Sequence, residues 1–198
     1  MTQNVSRETL DRLTCYAALV RQWNPRINLV APSTLAQLEA RHIDDSMQIA
    51  QHADPGDGVW ADLGSGGGLP GLILAAIYAD RPARFCLVES DQRKAAFLRT
   101  AIREMGLPNA TVIARRIEAV DPLNAADISV RALAPLPCLM PYMEMHLATQ
   151  GQAWLMKGEN WRQEVSEARK LWRFDLDHFP SRTHPAAAIL KISGVSHV

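Results

Sequence analysis

Val59-Trp60-Ala61-Asp62-Leu63-Gly64-Ser65-Gly66-Gly67-Gly68-Leu69-Pro70-Gly71 is the stretch on which the reading of this chain turns. A short apolar run ends in an acid, breaks into glycines and meets a proline able to open a helix. That pattern predicts a strand, a tight turn and a helix at the carboxyl edge of a parallel sheet, where open α/β folds bind ligands. Backbone without Cβ takes φ > 0 readily and approaches a ligand closely. Pro70 suits a first helical turn, because its missing N–H would have no intrahelical partner there. The apolar run 72–77 then continues as a buried helix.

Two ligand classes fit this loop. Residues 66–71 match G-x-G-x-x-G, and an acid, Glu89, follows about 20 residues on, as in dinucleotide-binding folds. Glu89 closes the next strand-like run, 84–89, where a carboxylate can accept both hydroxyls of a ribose. That acid suits NAD and S-adenosylmethionine equally, since both carry an adenosine ribose. Asp62 separates them. A carboxylate at the tip of the first strand would crowd a pyrophosphate, but it complements a ligand bearing an ammonium and a sulfonium. Charge therefore favours S-adenosylmethionine. The bland alternative is a glycine-rich turn with no ligand, but its glycines carry an entropic cost that an idle turn would not need.

Composition describes one compact enzyme with a possible appendage. The 198 residues suffice for a real core. No apolar run reaches the ~18 residues of a membrane span, and the polar start, 1–10, lacks the apolar core of a signal peptide. Three widely spaced cysteines, Cys15, Cys86 and Cys138, suggest neither a disulfide framework nor a zinc site. A cytoplasmic protein is expected, without a metal. Lys+Arg and Asp+Glu both number 21, so the overall field gives no bulk attraction to nucleic acid. Acids slightly outnumber bases up to Asp57, and bases outnumber acids from Gly151 onward. Arg115, Arg116 and Arg131 fall in or just after strand-like segments, where basic groups are better placed to serve a site than scattered lysines.

Beyond the loop the chain alternates regularly. Residues 91–105 have helical spacing (Ala95, Leu98, Ile102, Met105), with Asp91 as N-cap and Gly106 as C-cap. Strands are expected at 110–114, 127–131 and 152–157, and helices at 135–147 and 159–172. Residues 174–179 and 187–192 read as two closing strands with no helix between them. Strands alternating with helices imply a parallel sheet with right-handed crossovers. A terminal hairpin adds an antiparallel strand. Seven mostly parallel strands ending in a C-terminal β-hairpin are the order of the Rossmann-like class I methyltransferase sheet, whereas a nicotinamide domain normally has six strands and a second domain.

Residues 1–57 differ in kind from 58–198. Leu10, Leu13, Ala17 and Val20 repeat at helical spacing, and Asn24-Pro25 is expected to break that helix. Ser33 suggests an N-cap for 34–41, and 45–52 a further short helix, before Pro55-Gly56-Asp57-Gly58 turns into the sheet. This predicts an N-terminal helical cap packed on the 58–198 domain rather than an independent unit. Arg41-His42-Ile43-Asp44-Asp45-Ser46 concentrates polar groups at a helix junction. A lone histidine in such a place is more often structural than a ligand or base.

The set Arg26-Ile27-Asn28-Leu29-Val30, 41–46, 62–71, Val130-Arg131-Ala132 and Leu155-Met156-Lys157-Gly158 resembles the RsmG (GidB) family of bacterial small-subunit rRNA methyltransferases. A glycine loop alone names only a superfamily. Leu-Pro-Gly after it, with Arg-Ala and Lys-Gly at later strand ends, is narrower. The resemblance runs from about Asn24 onward; before that the match is only helical character. It implies methylation of N7 of one guanine in the 530 loop of 16S rRNA, within the small ribosomal subunit or an assembly intermediate, by a monomer using S-adenosylmethionine. It also implies that Gly64 and Leu69 line the methionine and adenosine side of the cofactor, beside the Asp62, Gly66 and Glu89 that the loop and its acids already suggest. Ile117 and Glu118 would flank the adenine, and Arg131 would sit at the cofactor edge as the catalytic residue near the target base.

The implied chemistry agrees with what the chain lacks. Guanine N7 carries a free lone pair, so no proton need leave first, and alignment and electrostatics do the work. Methylation of exocyclic amines usually goes with Asn or Asp before Pro-Pro-aromatic after the fourth strand; here that place reads Arg131-Ala132-Leu133-Ala134-Pro135. Cys138 lies where cytosine-C5 methyltransferases place a thiolate, but its apolar neighbours, 136–140, predict burial as a small core residue. A non-catalytic rRNA-binding factor is the rival outside the class. An intact Asp62, glycine loop and Glu89 argue against it.

Overall fold

The computed structural model describes residues 5–198; residues 1–4, the start of the expected cap, lie outside the described residues. Apolar runs bounded by turns become the inner strands β1 (Val59–Leu63), β2 (Arg84–Val88), β3 (Ala110–Ile113) and β4 (Ala125–Arg131). Three longer strands follow: β5 (Leu147–Lys157), β6 (Trp172–Pro180) and β7 (Ala188–His197). They form one seven-stranded sheet in the order β3-β2-β1-β4-β5-β7-β6. The first five are parallel to one another, and β7 enters antiparallel between β5 and β6, as the terminal hairpin predicted. The order reverses between β1 and β4, so a crevice opens beyond their carboxyl ends.

Strand alternation divides the core in two. Trp60, Phe85, Leu87, Trp154 and Ile189 face α1 (Arg7–Ile27), α3 (Gly71–Ile77) and α4 (Gln92–Glu104). Ala61, Leu63, Ile128, Val130 and Leu190 face α5 (Leu136–His146) and α6 (Trp161–Ala168). Leu13, Tyr16 and Val20 of α1 share their cluster with Leu72 and Phe97, so the N-terminal segment and the sheet bury a common apolar surface. Fully burying one such side chain is worth about 1.5–3 kcal/mol.

Local signals decide most boundaries. Asp91 caps α4 by accepting from the Arg93 and Lys94 N–H groups, and Gly106 beyond it has φ +62. Ser6 caps α1 by accepting from Thr9 N. Asn24-Pro25 does not break α1 as expected. The helix runs on to Ile27, because the Asn24 side chain accepts from Val30 N and Asn28, at φ 47, closes the end with its N–H on Asn24 O. Pro25, close to that end, removes only one bond.

Ser33 is not a helix cap either. Residues Pro32–Gln37 wind as a 3-10 helix, and Glu39–Ile43 as a single π-helical turn leading into α2 (Asp44–Met47). The helix expected over 45–52 is split, its second half being a 3-10 turn, Ile49–Gln51. The helix expected to reach Trp172 stops at Ala168. Trp172 instead opens β6, paired with His197 and buried against its ring, so packing overrides helical spacing. Among the described residues no helix is long and apolar enough to cross a membrane.

Candidate active site

A cavity of about 660 Å³ lies at the carboxyl ends of β1, β2 and β4, within the usual size range for a small-molecule site. Its floor is the loop between β1 and α3, held by backbone bonds. Gly64 N and Ser65 N both donate to Val88 O, at 2.9 and 3.0 Å, and Gly68 N donates to Ser65 O at 2.7 Å. Gly64 has φ +70, a backbone conformation that favours glycine, and the Leu133 side chain from the cavity wall lies where a Cβ would stand. The Leu69–Pro70 peptide is cis, and α3 begins at Gly71.

Glu89 is buried just past the end of β2 and ties this floor together. Its Oε2 accepts from Gly66 N at 2.8 Å and its Oε1 from Asp91 N at 2.7 Å. Each oxygen keeps a second lone pair, so the same carboxylate can also accept the two hydroxyls of a ribose. Tyr16 adds a tie from below, donating to Gly67 O at 2.6 Å from within α1.

Asp62 is the expected site residue that does not line the cavity. It is buried under the loop, where Oδ1 accepts from Ser129 Oγ at 2.6 Å. Oδ2 is turned toward Gly71 and has no hydrogen-bond partner of good geometry. A Cβ at Gly71 would meet it at 2.6 Å. Burial pushes the Asp62 carboxyl up to about 6, against the lowering effect of Ser129, Ser65 and Gly71. Its position under the loop follows from strand alternation: Trp60 and Asp62 share one face of β1, and Trp60 Nε1 donates to the same Ser129 hydroxyl at 3.0 Å.

Gly64, Gly66, Leu69, Glu89, Ile117 and Glu118 all line the cavity. Glu118 accepts from Tyr142 Oη at 2.6 Å, a bond that lowers the carboxyl and raises the phenol. Cys138 departs from expectation. It is exposed and lines the cavity rather than entering the core. The buried stripe of α5 runs through Leu136, Leu139, Met140 and Met143, which leaves Cys138 and Tyr142, one turn apart, on the opposite face. Among the described residues no side chain hydrogen-bonds its Sγ. Lys94, Arg115 and Arg116 stand at the rim, the last two exposed.

Arg131 closes the other end. Its Nη2 donates to His42 Nδ1 at 2.8 Å and to Arg41 O at 3.2 Å, and Asp45 Oδ2 lies 3.5 Å away. Burial and the Arg131 charge depress the His42 imidazole to about 4. The next residue, Ala132, has φ 52, a strained conformation for a non-glycine residue in the cavity wall. Lys157 lies beyond this end, donating to Ala134 O at 2.7 Å and pairing with Glu164 Oε2 at 2.8 Å. That oxygen also accepts from Leu136 N, so Lys157 braces the start of α5. Among the described residues no cluster of His, Cys, Asp and Glu could hold a metal.

Residues 9–185 match the family model for rRNA small subunit methyltransferase G (GidB). The chain belongs to this family. Curated relatives share that description along their whole length: 57% identity with the Paracoccus denitrificans protein, over 98% of this chain and 99% of the relative, and 50% with that of Ruegeria pomeroyi, over 100% and 97%. Solved structures agree on the fold. A SAM-dependent methyltransferase from Aquifex aeolicus superposes with a TM-score of 0.61 at 9% identity, over 89% of this chain and 96% of the other. Aeropyrum pernix fibrillarin, with natively bound S-adenosyl-L-methionine, gives 0.56 at 13%, over 77% and 75%. The seven-stranded sheet is thus the class I methyltransferase sheet that the sequence predicted.

Proposed function

We propose that this protein transfers a methyl group from S-adenosylmethionine to N7 of a guanine in the 530 loop of 16S rRNA. Family membership supports rRNA as the substrate class. The atom is supported by one observation: the His42 imidazole lining the cavity has its lone pair taken by Arg131, and the carboxylates there already hold hydrogen bonds, of which that from Tyr142 lowers the Glu118 carboxyl. His42 Nδ1 accepts from Arg131, Glu89 holds two backbone N–H groups, and Glu118 holds Tyr142. Asp62, the remaining candidate base, lies below the loop. Such a site suits a nucleophile that has no proton to lose.

The residues present fit the cofactor. The glycine loop leaves backbone open to a ligand at Gly66, where a Cβ would meet nothing nearer than 3.8 Å, and Glu89 retains lone pairs for ribose hydroxyls. When bound, S-adenosylmethionine supplies an electrophilic methyl on a sulfonium. Ile117 would then lie against the adenine with Glu118 beside it. Arg131, fixed by the cap, orients the guanine edge, a phosphate or the cofactor carboxylate, because a guanidinium close to N7 would oppose the positive charge that grows on the ring. Lys94, Arg115 and Arg116 are placed to take RNA phosphates.

Mass mapping of 16S rRNA nucleotides, with and without the protein and S-adenosylmethionine, tests this reading on both naked rRNA and 30S subunits. A single new 7-methylguanine in the 530 loop is expected. A methyl group on any other base atom, or none, overturns it. One observation favours a second reading: the exposure of Cys138 in the cavity permits thiolate attack on a cytosine. Methylation at cytosine C5 in the same map would establish that reading.

A further inference from the structure

A chain of four polar groups runs from the cap to the end of β4, and its direction can be deduced. The Thr34 hydroxyl donates to Ala31 O at 2.8 Å. A hydroxyl has one proton to give, so its 2.7 Å contact with His42 Nε2 must be accepted by Thr34 Oγ1. The Nε2 atom therefore carries the proton. Nδ1 is left as a lone pair, and it faces Arg131 Nη2 at 2.8 Å. A guanidinium only donates, so both ends of the imidazole require the same tautomer.

We propose that His42 is a positioning residue that aims the Arg131 guanidinium at the reacting pair, acting through a lone pair on Nδ1 that Thr34 keeps free. The proposal rests on the function above, in which Arg131 contacts the substrate or cofactor. Two carbonyls of the π-helical turn, Arg41 O and His42 O, hold the same guanidinium at 3.2 and 3.5 Å. Together with Nδ1 they fix the plane of the fork, which a single ion pair would not do. Asp45, 3.5 Å away, supplies the countercharge. The neutral state of His42 agrees with this role, since a second N–H on Nδ1 would point at a cation.

Substitution separates acceptor geometry from bulk. Asn places an oxygen where Nδ1 stands, and Gln places its polar end near Nε2 instead. In single-turnover methylation of 30S subunits, His42→Gln should lose 10-fold or more in rate at unchanged S-adenosylmethionine affinity, and His42→Asn should recover most of that loss. Thermal melting of each variant checks that it folds. Equal rates for His42→Gln and wild type, or equally poor rates for both folded variants, overturn the proposal. An independent readout needs no activity: 15N NMR of the wild type at neutral pH should show His42 protonated on Nε2 and bare on Nδ1. The opposite tautomer also overturns it. If wild type transfers no methyl group while the NMR shows the expected tautomer, the proposed function fails and the hydrogen-bond chain stands as structure alone.

Discussion

The Tyr16 phenol donates a 2.6 Å hydrogen bond to the carbonyl of Gly67, linking the first helix to the glycine loop across 51 residues of sequence. Both partners are buried, so the bond is shielded from water. Tyr16→Phe keeps the ring and strands the carbonyl, which costs about 1–3 kcal/mol when no water replaces the partner. Urea denaturation should show that loss, and S-adenosylmethionine titration a weaker affinity, because the loop floor loosens. A variant as stable as wild type would mean that water reaches Gly67 O.

Glu89 and Asp62 should part company. Glu89→Ala removes the carboxylate that faces the cavity and should weaken S-adenosylmethionine binding by about 1–3 kcal/mol, roughly a 5- to 150-fold effect for a lost charged hydrogen bond. Both variants should also lose stability, since Glu89→Ala strands the Gly66 and Asp91 N–H groups and Asp62→Ala leaves Ser129 without its acceptor, but only Glu89 faces the cavity, so the larger loss of affinity belongs to Glu89→Ala. Calorimetric titration and denaturation of both variants decide this. Normal binding by both would mean that the loop serves another ligand.

Cys138→Ser should retain most of its methyl transfer, since no covalent adduct forms in the guanine-N7 reading. Its exposure makes the test fair, because the substitution leaves the core untouched. A folded, cofactor-binding but inactive Cys138→Ser enzyme would instead promote the thiolate mechanism.

Arg131→Lys should lose at least 10-fold in single-turnover rate although the charge remains. A lysine cannot reproduce a planar fork on His42 Nδ1 and two carbonyls at once. Equal rates would reduce Arg131 to a charge or a structural ion pair with Asp45.

His42 should also leave a mark on stability against pH. The unfolded imidazole takes a proton near about 6.5, the folded one only near about 4, so the unfolded state binds more protons in between. Stability is therefore fully present above about 6.5 and is lost as pH falls toward 4. The groups facing the ring are Arg131 from β4, Asp45 from α2, and Thr34 and Arg41 from the cap. Denaturation of wild type and His42→Asn across this range should show a steeper fall for wild type. Parallel curves would mean that His42 titrates normally in the folded protein.

The sheet class, the glycine loop and the residues that line the cavity are legible because each has a short-range cause: alternation in β1, positive φ in the loop, a capping Asp91. What misled was longer in range. Asn24-Pro25 looks like a breaker until Val30, six residues on, is seen to satisfy Asn24. Cys138 sits in a helix that is apolar on nearly every side, so only the packed stripe shows which way it faces. Tyr16 reads as one more core position of α1, and nothing near it in sequence announces its bond to Gly67. The sequence leads one to expect Asp62 in the cavity, but strand parity puts it beneath the loop. His42 was visible as a polar junction, whereas its partner Arg131 comes 89 residues later.

That separation has a kinetic side. Arg131 can only donate, so a strand formed late in the sequence dictates which nitrogen of a cap histidine holds the proton and which way the Thr34 hydroxyl turns. The turn Pro32–Gln37 and the π-helical turn after it are tied to β4 by contacts between residues 89 and 90 apart in sequence, whose loop-closure entropy delays them in folding. Contacts made after the rate-limiting step slow unfolding and leave the folding rate alone. Removing Thr34 or His42 is therefore expected to raise the unfolding rate more than it lowers the folding rate, which stopped-flow unfolding and refolding in urea would read.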